Sequence, residues 1–250
     1  MDSALRITLI ANAGLLVTYR GTTLMIDGIY GREGHPFSNL TPEVWQDMLG
    51  SRNRFQKVDY LLFTHAHPDH FSPEMTGEFL RHRSVKGMFL PEPHTPEELQ
   101  LIGVLRERRT PCVLLSETTE HAPGITVRGF RTLHLDRKFR NVPHFCYILT
   151  FGEKSILLTA DMDYTVETLA SIRNLPIRAA FINPLFLNAL SHRKFFKGIL
   201  PGQEIFVYHV PFPEDDSMLM LPTLRRSLEA WPPDGRPVTA LTEPFQEIEL

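Results

Sequence analysis

The stretch at residues 61–71, LLFTHAHPDHF, restricts the possible folds of this chain more than any other. An apolar run that reads as buried strand over residues 57–64 gives way at once to three histidines and an aspartate. While extended geometry lasts, His65 and His67, two apart, project to the same side. Pro68 ends strand pairing, and Ser72 before Pro73 and Glu74 reads as the cap of a following helix. The turn between them can swing Asp69 and His70 back toward His65 and His67. Four donors of the types that bind zinc, manganese or iron then converge at a sheet rim. A solvated histidine-rich turn is the competing reading and would be preferred for a lone His-x-His. A fuller pattern set between a strand and a capped helix favours a metal site.

Bulk properties remove several function classes. The formal net charge of −3 gives no general attraction to nucleic acid or anionic membrane. Two cysteines, Cys112 and Cys146, cannot build a disulfide framework and form no Cys-x-x-Cys pair. No apolar run approaches membrane-spanning length and no charged-then-apolar leader opens the chain, so the expected location is the cytoplasm. At 250 residues, one domain over 1–250 is expected, built from two similar halves at about 1–115 and 125–250.

Short strand-like runs open the chain at 5–11, 14–20 and 22–28. Helices are signalled by Thr41-Pro42-Glu43, Ser72-Pro73-Glu74 and Thr95-Pro96-Glu97, the last completing a capping box with Glu98. A polar stretch at 116–124 reads as an interruption. Strand patterns return at 125–134, 145–152, 154–161, 179–183 and 204–210, with a helix at 165–174. The repeated order of elements predicts two sheets packed face to face with helices outside. Residues 31–40 read as a mobile loop over one rim.

THAHPDH resembles the His-x-His-x-Asp-His signature of the metallo-β-lactamase superfamily, and His134, Asp161 and His209 follow in the family's order. The resemblance runs from ITLIANAGLLV to HVPF and is nearest to the ascorbate-phosphate lactonase-like branch. It implies an α/β (α+β) fold, a four-layer αβ/βα sandwich of two mixed β-sheets with helices on the outer faces. It also implies two divalent metal ions, zinc first, with manganese or iron as alternatives. His65, His67 and His134 would hold one ion, Asp69, His70 and His209 the other, and Asp161 would bridge them. His144 competes with His134; it is otherwise assigned, with Arg137, to substrate binding. Cysteine is common at the Asp161 position in true β-lactamases, so that activity is not expected.

The implied activity is hydrolysis of an ester, lactone, thioester or phosphodiester of a small molecule by a hydroxide shared between the ions, with Asp69 orienting it. A mononuclear iron oxygenase similar to the persulfide dioxygenases, or a non-catalytic metal-binding protein, stays open as an alternative. Arg137, Lys138 and Arg140, with the basic run at 192–198, permit an anionic substrate. Phe37, Phe186 and Phe212 are candidate cleft residues. Asn12 stands where related lactonases often carry histidine.

Overall fold

The computed structural model describes residues 4–31, 33–115, 119–163, 175–187, 204–231 and 237–250. Strands β1 (Arg6–Ala11), β2 (Gly14–Tyr19) and β3 (Thr22–Ile26) are joined by tight turns and pair antiparallel. The next strands, β4 (Tyr60–Leu62), β5 (Gly87–Leu90) and β6 (Cys112–Leu114), add in parallel. Parallel pairing needs long crossovers, and α1 (Pro42–Leu49), α2 (Pro73–His82) and α3 (Pro96–Glu107) supply them.

The second sheet follows the same plan. β7 (Thr119–Ala122), β8 (Ile125–Thr132), β9 (His144–Phe151) and β10 (Lys154–Leu158) are antiparallel. β11 (Ala179–Ile182), β12 (Glu204–Val207) and β13 (Val238–Ala240) then extend it in parallel. A last strand, β14 (Glu247–Glu249), crosses back to pair with β1, giving two sheets of seven strands each among the described residues.

Alternation along β9 explains the layering. Phe145, Tyr147, Leu149 and Phe151 join a core shared with β1–β5 and with Trp45, Phe79 and Leu105 of the three helices. Cys146 and Ile148 face a second apolar cluster that includes Leu224 of α4 (Met220–Glu229). Both faces of this strand are covered, which is why it reads as continuous apolar sequence. The result is the four-layer sandwich of two mixed sheets with helices outside.

Several sequence expectations are corrected. The stretch read as an interruption contains β7 at its far end. β4 covers only residues 60–62 of the expected 57–64, because Thr64 turns its backbone N–H to the Asp27 side chain. β8 ends at Thr132, and His134 lies beyond it in an isolated antiparallel bridge with Met162. The expected helix at 165–174 and the basic run at 192–198 lie outside the described residues. Cys112 and Cys146 are both free thiols. Among the described residues no helix is long and apolar enough to cross a membrane.

Candidate metal centre

The parallel registers bring the polar residues to one rim. Ile26 pairs with Leu62, so the chain that leaves β3 at Asp27 runs beside the chain that leaves β4 toward His65. In the other sheet Leu158 pairs with Phe181, and Ile182 with Val207. Asp161, Asn183 and His209 therefore all follow the carboxyl ends of neighbouring strands. Asp27, Ala160 and His209 have φ of 44°, 46° and 62°. Such left-handed conformations are unfavourable for residues with a Cβ and occur where surrounding structure enforces them. Here they mark the abrupt turns that aim side chains off the sheet ends.

Two clusters result, His65, His67, His134 and Asp161, and Asp69, His70, Asp161 and His209; in each, one donor atom per residue lies within 4.8 Å of the others. Asp161 belongs to both. Its Oδ2 lies 3.4 Å from His134 Nε2, 3.6 Å from His70 Nε2 and 3.9 Å from His65 Nε2. Its Oδ1 lies 3.3 Å from His209 Nε2 and accepts a 2.6 Å hydrogen bond from the Asn183 amide. Asp69 Oδ2 stands 3.6 Å from His70 Nε2 and 3.5 Å from His209 Nε2.

The proton positions make a cation the natural occupant. Thr64 Oγ1 donates to Asp27 Oδ2 at 2.6 Å, which leaves it to accept from His65 Nδ1 at 3.0 Å. Asp27 Oδ2 also accepts from His70 Nδ1 at 2.8 Å. With their Nδ1 atoms engaged, His65 and His70 turn Nε2 inward. These Nε2 atoms stand 3.0 Å from His67 Nδ1 and 3.0 Å from His209 Nε2 respectively. Facing imidazole nitrogens at that distance repel unless a proton or a cation lies between them. A tetrahedral ion with arms of 2.0–2.1 Å separates its donors by about 3.3–3.4 Å, close to the spacings here. His134 Nε2 is buried without a hydrogen-bond partner. The Asp136 N–H points at His134 Nδ1 (3.0 Å), a contact that must loosen if Nε2 is to give its lone pair to an ion.

Electrostatics agree with this reading. Burial, then the neighbouring His70 and His144, hold His65 well below the ordinary histidine range. Burial and His134 bring His67 down to about 4, so both rings are neutral donors at neutral pH. Burial also works against a charge on His70, but Asp69, Asp161 and Asp27 outweigh it and raise that ring well above its ordinary range. The carboxylates thus demand a positive charge in the pocket. Burial disfavours the Asp161 carboxylate, yet His209, His134 and His70 keep it ionised well below the usual range.

His134, rather than His144, stands in the cluster. His144 is fully buried behind it, accepting the Asp161 N–H through Nε2 (3.1 Å) and bonding Thr132 Oγ1 through Nδ1 (2.6 Å). Both nitrogens are committed and the ring does not line the cleft, so its assignment to substrate binding is withdrawn; it positions Asp161. Arg137 is exposed and also absent from the cleft lining, where Lys138 stands instead. Phe37 lines the cleft, whereas Phe186 and Phe212 are buried in the core. Asn12, in the β1–β2 turn, donates to the Asp69 carbonyl at 2.7 Å and accepts the His209 N–H at 3.3 Å. One turn thus anchors two members of the second cluster. Asp27 and Asn183 were not anticipated; the only signal for either was a lone polar residue at a strand end.

No family model matches the chain. Among solved structures, the metallo-beta-lactamase fold protein YhfI from Bacillus subtilis matches 99% of this chain with 100% of its own, at a TM-score of 0.68 and 14% identity. The isothiocyanate hydrolase from Delia radicum gut bacteria matches 97% of this chain with 98% of its own, at a TM-score of 0.66 and 17% identity. The chain has the metallo-β-lactamase fold, with paired His/Asp clusters able to hold metal ions. In sequence it is similar to a 4-amino-L-phenylalanyl-(CmlP-peptidyl-carrier-protein) 3-hydroxylase of Streptomyces venezuelae, 27% identical over 165 residues, 61% of this chain and 28% of that protein. CmlA, a diiron beta-hydroxylase from Streptomyces venezuelae, covers 100% of this chain with 54% of its own, at a TM-score of 0.60 and 18% identity. The chain therefore spans about half or less of the length of these hydroxylases.

Proposed function

We propose that this protein is a metal-dependent hydrolase that uses two divalent cations on an ester, lactone, thioester or phosphodiester of a small molecule. The observation that carries the reading is the Asp161 carboxylate, which belongs to both donor clusters, its Oδ2 within 3.9 Å of His65, His134 and His70 and its Oδ1 3.3 Å from His209. Two cations held by these residues would supply a hydroxide nucleophile near neutral pH and stabilisation of charge on the attacked oxygen. His65, His67, His134 and Asp161 would hold one ion, and Asp69, His70, His209 and Asp161 the other. Asp69 lines the open cleft and can accept a hydrogen bond from the attacking water, fixing its direction. Asp27 fixes His70 directly and His65 through Thr64, while His144 and Asn183 fix Asp161; partners of this kind typically contribute 10- to about 100-fold in affinity or activity.

A second reading is an iron oxygenase, favoured by the sequence similarity to a hydroxylase. Nitrogen and carboxylate donors accept iron as well as zinc or manganese. Elemental analysis of protein purified without added metal, with lactone and phosphodiester hydrolysis and oxygen consumption measured on the same sample, separates the two. The hydrolase reading expects two ions per chain and turnover without oxygen uptake. His67→Ala is expected to lower kcat/KM by more than about 100-fold while circular dichroism stays unchanged. Unaltered turnover in that variant refutes the reading.

A further inference from the structure

The cleft over the clusters encloses about 350 Å3, and its walls differ sharply in chemistry from its floor. Two phenylalanines reach it from opposite halves of the chain. Phe37 rests against the His209 ring with centroids 4.3 Å apart. Phe139 stands edge-on to His67 at 4.3 Å and to His134 at 5.3 Å. One aromatic ring is thus fixed beside each cluster, and Leu135, Leu185 and Met220 complete the apolar wall. Leu185, at the mouth, is 41% exposed.

Outside the two clusters, the polar side chains of the described lining are already engaged. Lys138 is paired with Asp136 at 3.3 Å and lies over the Phe139 ring at 4.6 Å. Arg140, next along the chain, is paired with Asp163 at 3.4 Å. His35 spends Nε2 on the Gly31 carbonyl (2.8 Å) and Nδ1 on the Phe37 N–H (3.2 Å). The Asn183 amide serves Asp161 and its oxygen the Leu185 N–H. A phosphate or carboxylate substituent is recognised by unpaired arginine or lysine, or by free backbone N–H groups; this wall offers apolar and aromatic surface instead.

We infer that the cleft takes an uncharged ester or lactone whose non-reacting part is an aromatic or short aliphatic group seated between Phe37 and Phe139. This rests on the hydrolase reading and narrows its substrate class. The test uses a benzyl-substituted γ-lactam, which keeps the ring carbonyl but resists hydrolysis, beside its carboxylate- and phosphate-substituted counterparts. Binding to the protein as purified is measured by calorimetry, and turnover of the three matching lactones is measured in parallel. The benzyl lactam is expected to bind at least about 10-fold more tightly than either charged one. Phe37→Ala and Phe139→Ala are each expected to weaken it by roughly 3- to 10-fold, with Leu in place of Phe restoring part of the loss. Equal or tighter binding of a charged lactam, no binding of any lactam, or indifference to folded Phe variants overturns the inference. Absence of turnover on all three lactones and on a generic ester, thioester and phosphodiester, with the binding order intact, defeats the hydrolase reading and leaves the cleft assignment standing. Fastest turnover of the phosphate-bearing lactone does the reverse.

Discussion

His144 shows how a residue can matter to a site without facing it. Its ring accepts the Asp161 N–H in a fully buried pocket, and burial brings it down to about 3. His67 at about 4, and His65 below its ordinary range, behave alike. All three bind protons in the unfolded chain near pH 6.5 but not in the folded one. Their contribution to stability is therefore complete above about pH 6.5 and is lost as pH falls toward 4. His70, raised, is protonated in both states below about pH 6.5 and loses its contribution only as pH rises above that, so the three lowered groups set the trend in this window. The urea midpoint of metal-free protein is expected to fall between pH 6.5 and 4, and less steeply in His144→Asn. A midpoint independent of pH in that window would contradict the assignment.

Among the elements, those with local chemical signals were legible in the sequence. Thr41, Ser72 and Thr95 accept the N–H of Val44, Met75 and Glu98, and the Thr95–Glu98 box closes reciprocally. α4 was missed because its cap is remote. Leu219 precedes it at φ 55°, and Asp216, four and five residues back, accepts from Met220 and Leu221 at 2.8 Å each. Strands β6, β13 and β14 span three residues each, too few to display a period of two. Their pairing is decided by sheet edges far away in sequence. The joint between helices is also long-range. Arg83, at the end of α2, is buried under the first sheet's helices and donates to the Met48 and Gln56 carbonyls while lying over Phe79. Hydrogen bonds from a charged donor contribute about 1.5–3 kcal/mol each, and two carbonyls lose their partner together. Arg83→Ala is expected to destabilise by about 2–4 kcal/mol in chemical denaturation. A loss under 1 kcal/mol would show that water replaces the guanidinium.

At the scale of the molecule, the site depends on both sheets. The HAHPDH turn was legible because its donors are neighbours in sequence, and His134, Asp161 and His209 were legible only through the resemblance. Asp27 and Asn183 became visible once the sheets placed them. The first sheet in turn depends on the far end of the described chain. β14 covers β1, with Leu250 N–H and carbonyl both bonded to Leu5. Deleting residues 246–250 uncovers the β1 edge and the packing of Ile248 and Leu250, a loss of about 2 kcal/mol. The truncated protein is expected to melt several degrees lower and to self-associate in size-exclusion chromatography; an unchanged elution volume would contradict this. Ions held between the sheets stabilise by mass action, about 2.7 kcal/mol when present at 100 times their dissociation constant. Chelation is therefore expected to lower the melting temperature by roughly 5–10 °C, and no change would mean that the folded state takes up no ion.

The single carboxylate common to both clusters has a further consequence. Were both positions to take an ion, occupancy of one would alter the charge felt at the other, so the two affinities would be linked and a singly loaded chain would be a chemical species in its own right. Any titration of this centre should therefore be read as two correlated steps rather than as a sum of two independent equilibria.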